Sequence, residues 1–113
     1  MAQLSIRIDF GPDLRVGPGK IALLEQIAAL GSISAGGRAM GMSYRRAWLL
    51  VDEANRIFTE PLVVATAGGP HGGGAQLTDF GRAVLGAFRR IEARTASAIA
   101  EELAPFAGRL SGE

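Results

Sequence analysis

Leu4, Ile6, Ile8 and Phe10 are apolar, and Ser5, Arg7 and Asp9 between them are polar. Strict period-two alternation predicts a half-buried strand, ended by Gly11-Pro12. One strand cannot stand alone, so it needs a partner in this fold or in a second subunit. After Gly17-Pro18-Gly19 the period changes. Ile21, Leu24, Ile27 and Ala28 recur at helical spacing up to Gly31, which predicts a short amphipathic helix stopped by that glycine. Ser32 is placed to N-cap a second helix from Ile33 to Met40, which Gly41 ends. Ser43 opens a third helix running to about Phe58, with Ala47, Leu50, Val51, Ala54, Ile57 and Phe58 facing inward. Two helices joined by so short a glycine-containing turn predict a helix-turn-helix.

Pro61 precedes a second strand prediction over Leu62–Thr66. Gly68 to Gly74 holds five glycines with Pro70 and His71, a composition expected to be too flexible for a regular element. Gln76-Leu77 returns as a further strand, giving a hairpin with a long glycine tip. Thr78 or Asp79 caps the last helix, along which Phe80, Val84, Phe88, Ile91, Thr95 and Ile99 mark one face that extends to Leu103 before Pro105. A stripe of more than five turns overhangs so small a core, and an overhanging apolar face usually finds a second copy of itself. The fold class expected is therefore mainly α with a small β hairpin: a winged helix-turn-helix with a long C-terminal dimerisation helix. It is read as one domain over residues 1–113, with the helix-turn-helix at about 32–58, the wing at about 62–77 and the C-terminal helix at about 78–104. No internal repeat or interdomain linker interrupts it.

Composition narrows the chemistry. With no cysteine among 113 residues, disulfides, thiolate-bound metals and a catalytic thiol are excluded, and a single histidine cannot build a multi-histidine metal site. The chain is 48% hydrophobic and 20% charged, a globular balance. No window approaches the roughly 18 apolar residues of a membrane span, and the first residues are not those of a signal peptide. A cytoplasmic protein with no membrane partner is expected. The net charge is +1, but it is unevenly spread: residues 1–37 are neutral, residues 38–94 carry +3 and residues 95–113 carry −2. The helix-turn-helix, hairpin and most of the last helix form the basic part.

Around the third helix at 100° per residue, Arg45, Leu49, Asp52, Glu53 and Arg56 oppose the apolar face, with Arg46 on its flank. The arginines lie in the first turn, the part of a recognition helix that enters the major groove, where guanidinium groups bind phosphate or fork onto guanine. On charge alone such a pair is an ordinary solvated face; its position after the glycine turn makes DNA contact the stronger reading. Asp52 and Glu53 would be repelled by the DNA backbone, which confines contact to the first two turns. Arg56 is placed to pair with Asp52 at i,i+4. Leu49 points outward as well; a thymine methyl is one partner for it, but a lone exposed leucine requires no ligand, and that plainer reading is the stronger. Trp48, on the edge of the buried face, is expected as a packing anchor rather than a base-stacking residue. The Tyr44 ring can pack while its hydroxyl reaches a phosphate.

An enzymatic reading finds little support. A phosphate-binding P-loop ends in Gly-Lys-Ser/Thr, whereas Gly73-Gly74 is followed by Ala75-Gln76. Backbone N–H groups of a glycine loop can form an anion nest, which keeps a small oxyanion-binding protein using Gly68–Gly74 as an alternative. A winged-helix module for protein–protein interaction is the other. No Ser-His-Asp set or paired carboxylates are evident, so no enzyme, cofactor or metal is expected.

Gly31-Ser32-Ile33-Ser34, followed by Gly41-Met42-Ser43-Tyr44-Arg45-Arg46-Ala47-Trp48, resembles the N-terminal DNA-binding domain of the molybdate-responsive ModE regulators. The similarity continues through Gly68-Gly69, Gly72-Gly73-Gly74-Ala75 and Leu77-Thr78 with Gly81, covering roughly residues 18 to 95. LysR-type regulators share a looser helix-turn-helix and the Leu-Thr-x-x-Gly step. The resemblance implies a dimeric transcription factor binding double-stranded DNA at a pseudo-palindromic operator. Expected DNA-binding residues are Ser34, Ser43, Tyr44, Arg45, Arg46, Leu49, Gly72 and Gly73, and expected dimerisation residues are Phe88, Ile91, Thr95 and Ile99. Three departures qualify it. The chain ends where the family's Mop-like molybdate-binding domains would begin, so molybdate sensing is not carried over and the effector stays open. Ala65 and Pro70 stand where an arginine and a lysine are expected, which puts wing contact with phosphate in question. Gly36-Gly37 lie inside the second helix at about 1 kcal/mol each relative to alanine, either permitting close helix packing or softening the element.

Overall fold

A computed structural model describes residues 3–69 and 72–112. The chain is mainly helical, with two small antiparallel strand pairs and a long C-terminal helix. The elements are β1 (Ile8–Asp9), β2 (Arg15–Val16), α1 (Pro18–Leu30), α2 (Ile33–Ala39), α3 (Tyr44–Asn55), β3 (Val63–Gly69), β4 (Gly72–Leu77), α4 (Asp79–Leu103) and a 3-10 turn at Ala104–Arg109. The partner that the first strand requires is β2, which pairs Ile8 with Val16 and Asp9 with Arg15. Only two residues of the alternating segment are strand, so the expected element is shorter than its pattern. Ile6 and Ile8 still pack on the core, while Phe10 is exposed and meets Phe58 edge-on at 5.6 Å.

The core is built by Ile21, Leu23, Leu24 and Ile27 of α1, Ala47, Val51 and Ala54 of α3, Leu62, Val63, Ala75 and Leu77 of the β3–β4 hairpin, Val16 and Phe88. Ala28, expected to face inward, is exposed. Two glycines inside α2 bring these elements together. A Cβ on Gly36 would stand 2.9 Å from Ile27 Cγ1, and one on Gly37 would stand 2.7 Å from Ala47 Cβ. Both distances are below contact, so the helix-propensity cost of the glycines permits close packing of α2 on α1 and α3. Between α2 and α3, Gly41 adopts φ +70°, a conformation other residues rarely tolerate.

Serine caps define the two helix starts. The Ser32 hydroxyl accepts from the Ala35 N–H at 2.9 Å, and the Ser43 hydroxyl from the Arg46 N–H at 3.1 Å. Helix α3 ends at Asn55, three residues before its expected limit. Leu50, Ile57 and Phe58 pack only partly buried against the core, and Phe58 continues an aromatic row to Phe80 at 5.4 Å.

Asn55 ends α3 by turning to the hairpin. Its Oδ1 accepts from the backbone N–H groups of Leu62 and Val63 at 2.9 and 3.0 Å, and its Nδ2 donates to the Val63 carbonyl at 3.0 Å. Replacing Asn55 by alanine strips three partly buried backbone groups of partners at once. Asn55→Ala is expected to cost about 2–4 kcal/mol, and Asn55→Asp, which keeps the acceptor and loses the donor, less. Denaturant titration of the two variants beside the parent checks the order.

The glycine-rich stretch is not an irregular loop. Gly68 and Gly69 lie in β3 and Gly72, Gly73 and Gly74 in β4, with Thr66 opposite Gly74 and Gly69 opposite Gly72 across an irregularity in register. Backbone ladder bonds need no side chain, so a glycine run can pair as readily as it can turn. Pro70 and His71 lie outside the described residues. The outer edge of β4 is fastened to α1, where the Ala75 N–H donates to the Gly31 carbonyl at 2.9 Å.

Thr78 joins the hairpin to α4. Its N–H donates to the Leu62 carbonyl at 2.9 Å, its hydroxyl donates to the Pro61 carbonyl at 2.8 Å and accepts from the Gly81 N–H at 2.8 Å. Thr78 is thus the cap, and Asp79 is the acidic residue of the first turn. Arg89 ties α4 back to α1: its guanidinium forks onto both carboxylate oxygens of Glu25 and also donates to Glu92 at 2.7 Å. These hydrogen bonds, Glu25's first, hold its pKa above the ordinary arginine value. Beyond Arg90, α4 leaves the core. The molecule measures 57 × 29 × 24 Å, much of the long dimension coming from a 25-residue helix of about 37 Å.

Candidate nucleic-acid interface

Helix α3 packs through Ala47, Val51 and Ala54, which leaves the rest of its circumference to solvent or to the hairpin. On the solvent side stand Arg45, Arg46 and Leu49, all exposed as expected from the sequence. Tyr44 and Ser43 are exposed at the first turn, and Ser34 is half-buried at the start of α2. Ser34, Tyr44, Gly73 and Gly74 line one groove of about 910 Å³ between the two helices and the hairpin, together with Ser32, Arg38, Trp48 and Thr66. Arg45, Arg46 and Leu49 are on the neighbouring face of the same helix turns and are not among the lining residues. Ser43 has spent its hydroxyl as an acceptor on the helix cap. Gly72 is in the β4 backbone opposite Gly69.

The charges of this face are sorted by pairing. Among the described residues, Arg38, Arg45 and Arg46 have no carboxylate within salt-bridge distance, whereas Arg7, Arg15, Lys20, Arg56 and Arg89 do. Arg56 pairs with Asp52 at 3.3 Å, the i,i+4 contact read from the sequence. Glu53 meets Lys20 at 3.0 Å, and Lys20 also donates to the Arg15 carbonyl at 2.7 Å. Both acids of α3 thus carry their own cation, so they oppose an incoming polyanion less than their sequence position suggests. Arg38 is absent from the sequence expectation. It closes α2 and lines the groove opposite α3, a juxtaposition that depends on how α2 crosses α3.

Trp48 departs from its expected role. It is 47% exposed, no part of the core, and its indole N–H donates to the Tyr44 hydroxyl at 2.5 Å. Its flank of α3 faces the hairpin, and the hairpin there presents Thr66 and glycines, too small to cover an indole. Phe88, placed with the dimerisation residues, is also corrected: at 3% exposure it fills the protomer's own core, because α4 is still against α1 at that turn. Ile91 is exposed and Thr95 and Ile99 are half-buried on the projecting part of α4. The Thr95 hydroxyl donates back to the Ile91 carbonyl at 2.7 Å. Further along, Leu103, Phe106 and Leu110 are exposed, and with Leu4, Ile99 and several alanines they border an apolar groove of about 360 Å³.

Among the described residues no cluster of His, Asp and Glu could hold a metal ion, and no helix is long and apolar enough to cross a membrane. No family model matches the chain. It is similar to the molybdenum transport protein ModE of Azotobacter vinelandii, with 40% identity over 99 residues, 88% of this chain and 36% of that protein. It is similar to the molybdenum-pterin-binding protein MopA of Rhodobacter capsulatus, with 39% identity over 88% of this chain and 37% of MopA. The DNA-binding transcriptional dual regulator ModE of Escherichia coli K12 is 37% identical over 84 residues, 74% of this chain and 32% of the regulator. The chain spans about a third of the length of the curated relatives it matches. At this level of identity over most of its length, the homologues of this chain are ModE and Mop proteins.

Proposed function

We propose that the chain is a winged helix-turn-helix DNA-binding unit of a ModE-type transcriptional regulator and that it binds a pseudo-palindromic operator as a homodimer. The observation that carries this reading is three arginines without a carboxylate partner among the described residues: Arg45 and Arg46 exposed on the first turn of α3, and Arg38 in the groove between the helices and the glycine hairpin. In this reading α3 enters the major groove by its first turns, and the hairpin lies along the backbone as the wing. The wing brings no basic side chain among its described residues, so its contribution is close backbone approach by glycine. Dimerisation uses the projecting part of α4, where Ile91 and Leu103 are exposed and Thr95 and Ile99 half-buried, next to the apolar groove bordered by Leu4, Phe106 and Leu110.

Salt titration of duplex binding tests the proposal. If all three arginines of each protomer neutralise phosphates, six contacts give a slope of log K against log salt of about −5; arginines that read bases instead make it shallower. Sedimentation of the same sample is expected to give a dimer. A monomer with salt-insensitive affinity would overturn the reading in favour of a protein-interaction module. Two relatives are named molybdenum-pterin-binding proteins, so melting with molybdate, tungstate or phosphate belongs beside it: a ligand of the native state alone must raise the midpoint.

A further inference from the structure

The chain contains one tryptophan and one tyrosine, and they are bonded to each other on the exposed side of α3. Tyr44 is 58% and Trp48 47% exposed, while neither ring takes part in the core or in an aromatic stack. An indole N–H is a donor only, whereas a phenol oxygen both accepts and donates. The Trp48–Tyr44 bond therefore has one possible direction. With an oxygen lone pair of Tyr44 occupied by the indole, the hydroxyl proton is turned away from Trp48 and is left to donate elsewhere. No protein acceptor for it is found among the described residues. We infer that Trp48 is a positioning residue that orients Tyr44 as a one-way hydrogen-bond donor to an acceptor oxygen or nitrogen on bound DNA. The α-helical i,i+4 spacing makes this possible, since it stacks residue 48 one turn above residue 44.

The inference rests on the DNA-binding reading and makes Trp48 act through Tyr44 rather than by stacking on a base. An exposed indole in the first turns of a recognition helix invites the stacking interpretation, and a double-substitution cycle separates the two. The probe is a duplex selected from a randomised pool by the parent protein. Tyr44→Phe and Trp48→Phe are each expected to weaken its binding about 3–10-fold, the worth of one hydrogen bond, and the double variant is expected to be no weaker than Tyr44→Phe alone. If the two single losses multiply in the double variant, or if Trp48→Phe binds as the parent does, the positioning role is overturned. A loss uniform over all duplexes identifies the acceptor as phosphate, and a loss confined to one base pair identifies a base edge; either supports the donor role. Free of DNA, Tyr44→Phe must also shift the emission of the lone tryptophan, and an unchanged spectrum would show that the pair is not formed. A parent protein that selects no duplex removes the DNA-binding reading itself, a failure distinct from multiplicative variants of a protein that does bind.

Discussion

Gly81→Ala is expected to be the most damaging single methyl this domain can receive. A Cβ at that position would overlap the Leu62 carbonyl oxygen and stand 3.0 Å from its carbonyl carbon. The obstacle is main chain rather than a flexible side chain, and the same carbonyl is held by the Thr78 N–H. Relief requires α4 to lift from the start of the hairpin, which strains the Thr78 cap and the contacts of Phe88. A cost of about 3 kcal/mol, the upper end for overpacking, is expected, lowering the melting midpoint by roughly 10–20 °C in a domain of this size. Gly86→Ala supplies the control on the same helix. There the nearest atom is Arg90 Nη1 at 3.2 Å, the far end of a flexible side chain, and alanine gains about 1 kcal/mol of helix propensity. One substitution, two positions on one helix, opposite signs: thermal melts of the pair decide it, and near-equal midpoints would refute the packing argument.

Arg45→Ala is expected to give the largest loss of DNA affinity from a surface change. A guanidinium that forks onto a base edge contributes about 1–3 kcal/mol, and a homodimer loses it at both half-sites. The sum is about 2–6 kcal/mol, or roughly 30-fold to 20,000-fold in Kd. Arg94→Ala is the matched control, because Arg94 is an exposed arginine on the projecting part of α4 and carries the same charge. It should lose only the small long-range share of the field. Gel-shift or anisotropy titrations at one salt concentration compare the two, and equal losses would mean that net charge rather than position governs binding. Whether Arg45 reads a base or holds a phosphate is visible in the slope against salt, which falls by about one per subunit only in the second case.

The helix starts were legible because each is written locally. Ser32, Ser43 and Thr78 accept from the N–H three residues on, a relation fixed within one turn. So was the outward set Arg45, Arg46 and Leu49, since helical periodicity alone separates it from Ala47, Val51 and Ala54. Features that depend on a second element were not. Arg15-Val16 is too short to carry a strand pattern, and it is recognisable only as the partner of Ile8-Asp9. Glycine strands carry no side-chain alternation, so Gly68–Gly69 and Gly72–Gly74 look like a loop until they are seen paired. Asn55 resembles any polar residue near a helix end, and its three bonds go to a segment seven or eight residues away. Trp48 lies on a flank whose burial is decided by the size of what faces it, and glycine faces it. The Leu-Thr-x-x-Gly step was visible as a pattern, while its reason, one carbonyl pressed against a bare Cα, belongs to tertiary structure.

Thr78 has a consequence for the operator. It is bonded to the hairpin root through its N–H and to α4 through its hydroxyl, so the start of the long helix is tied directly to the hairpin. In the proposed dimer the separation of the two α3 helices is then expected to be set by how the two α4 helices meet. DNA advances about 3.4 Å and turns about 34° with each base pair. One base pair added between the half-sites thus displaces the second site along two coordinates at once, and the bonds at Thr78 oppose both displacements. Such a dimer is expected to work as a calliper, measuring the distance between two short words as strictly as it reads the words themselves.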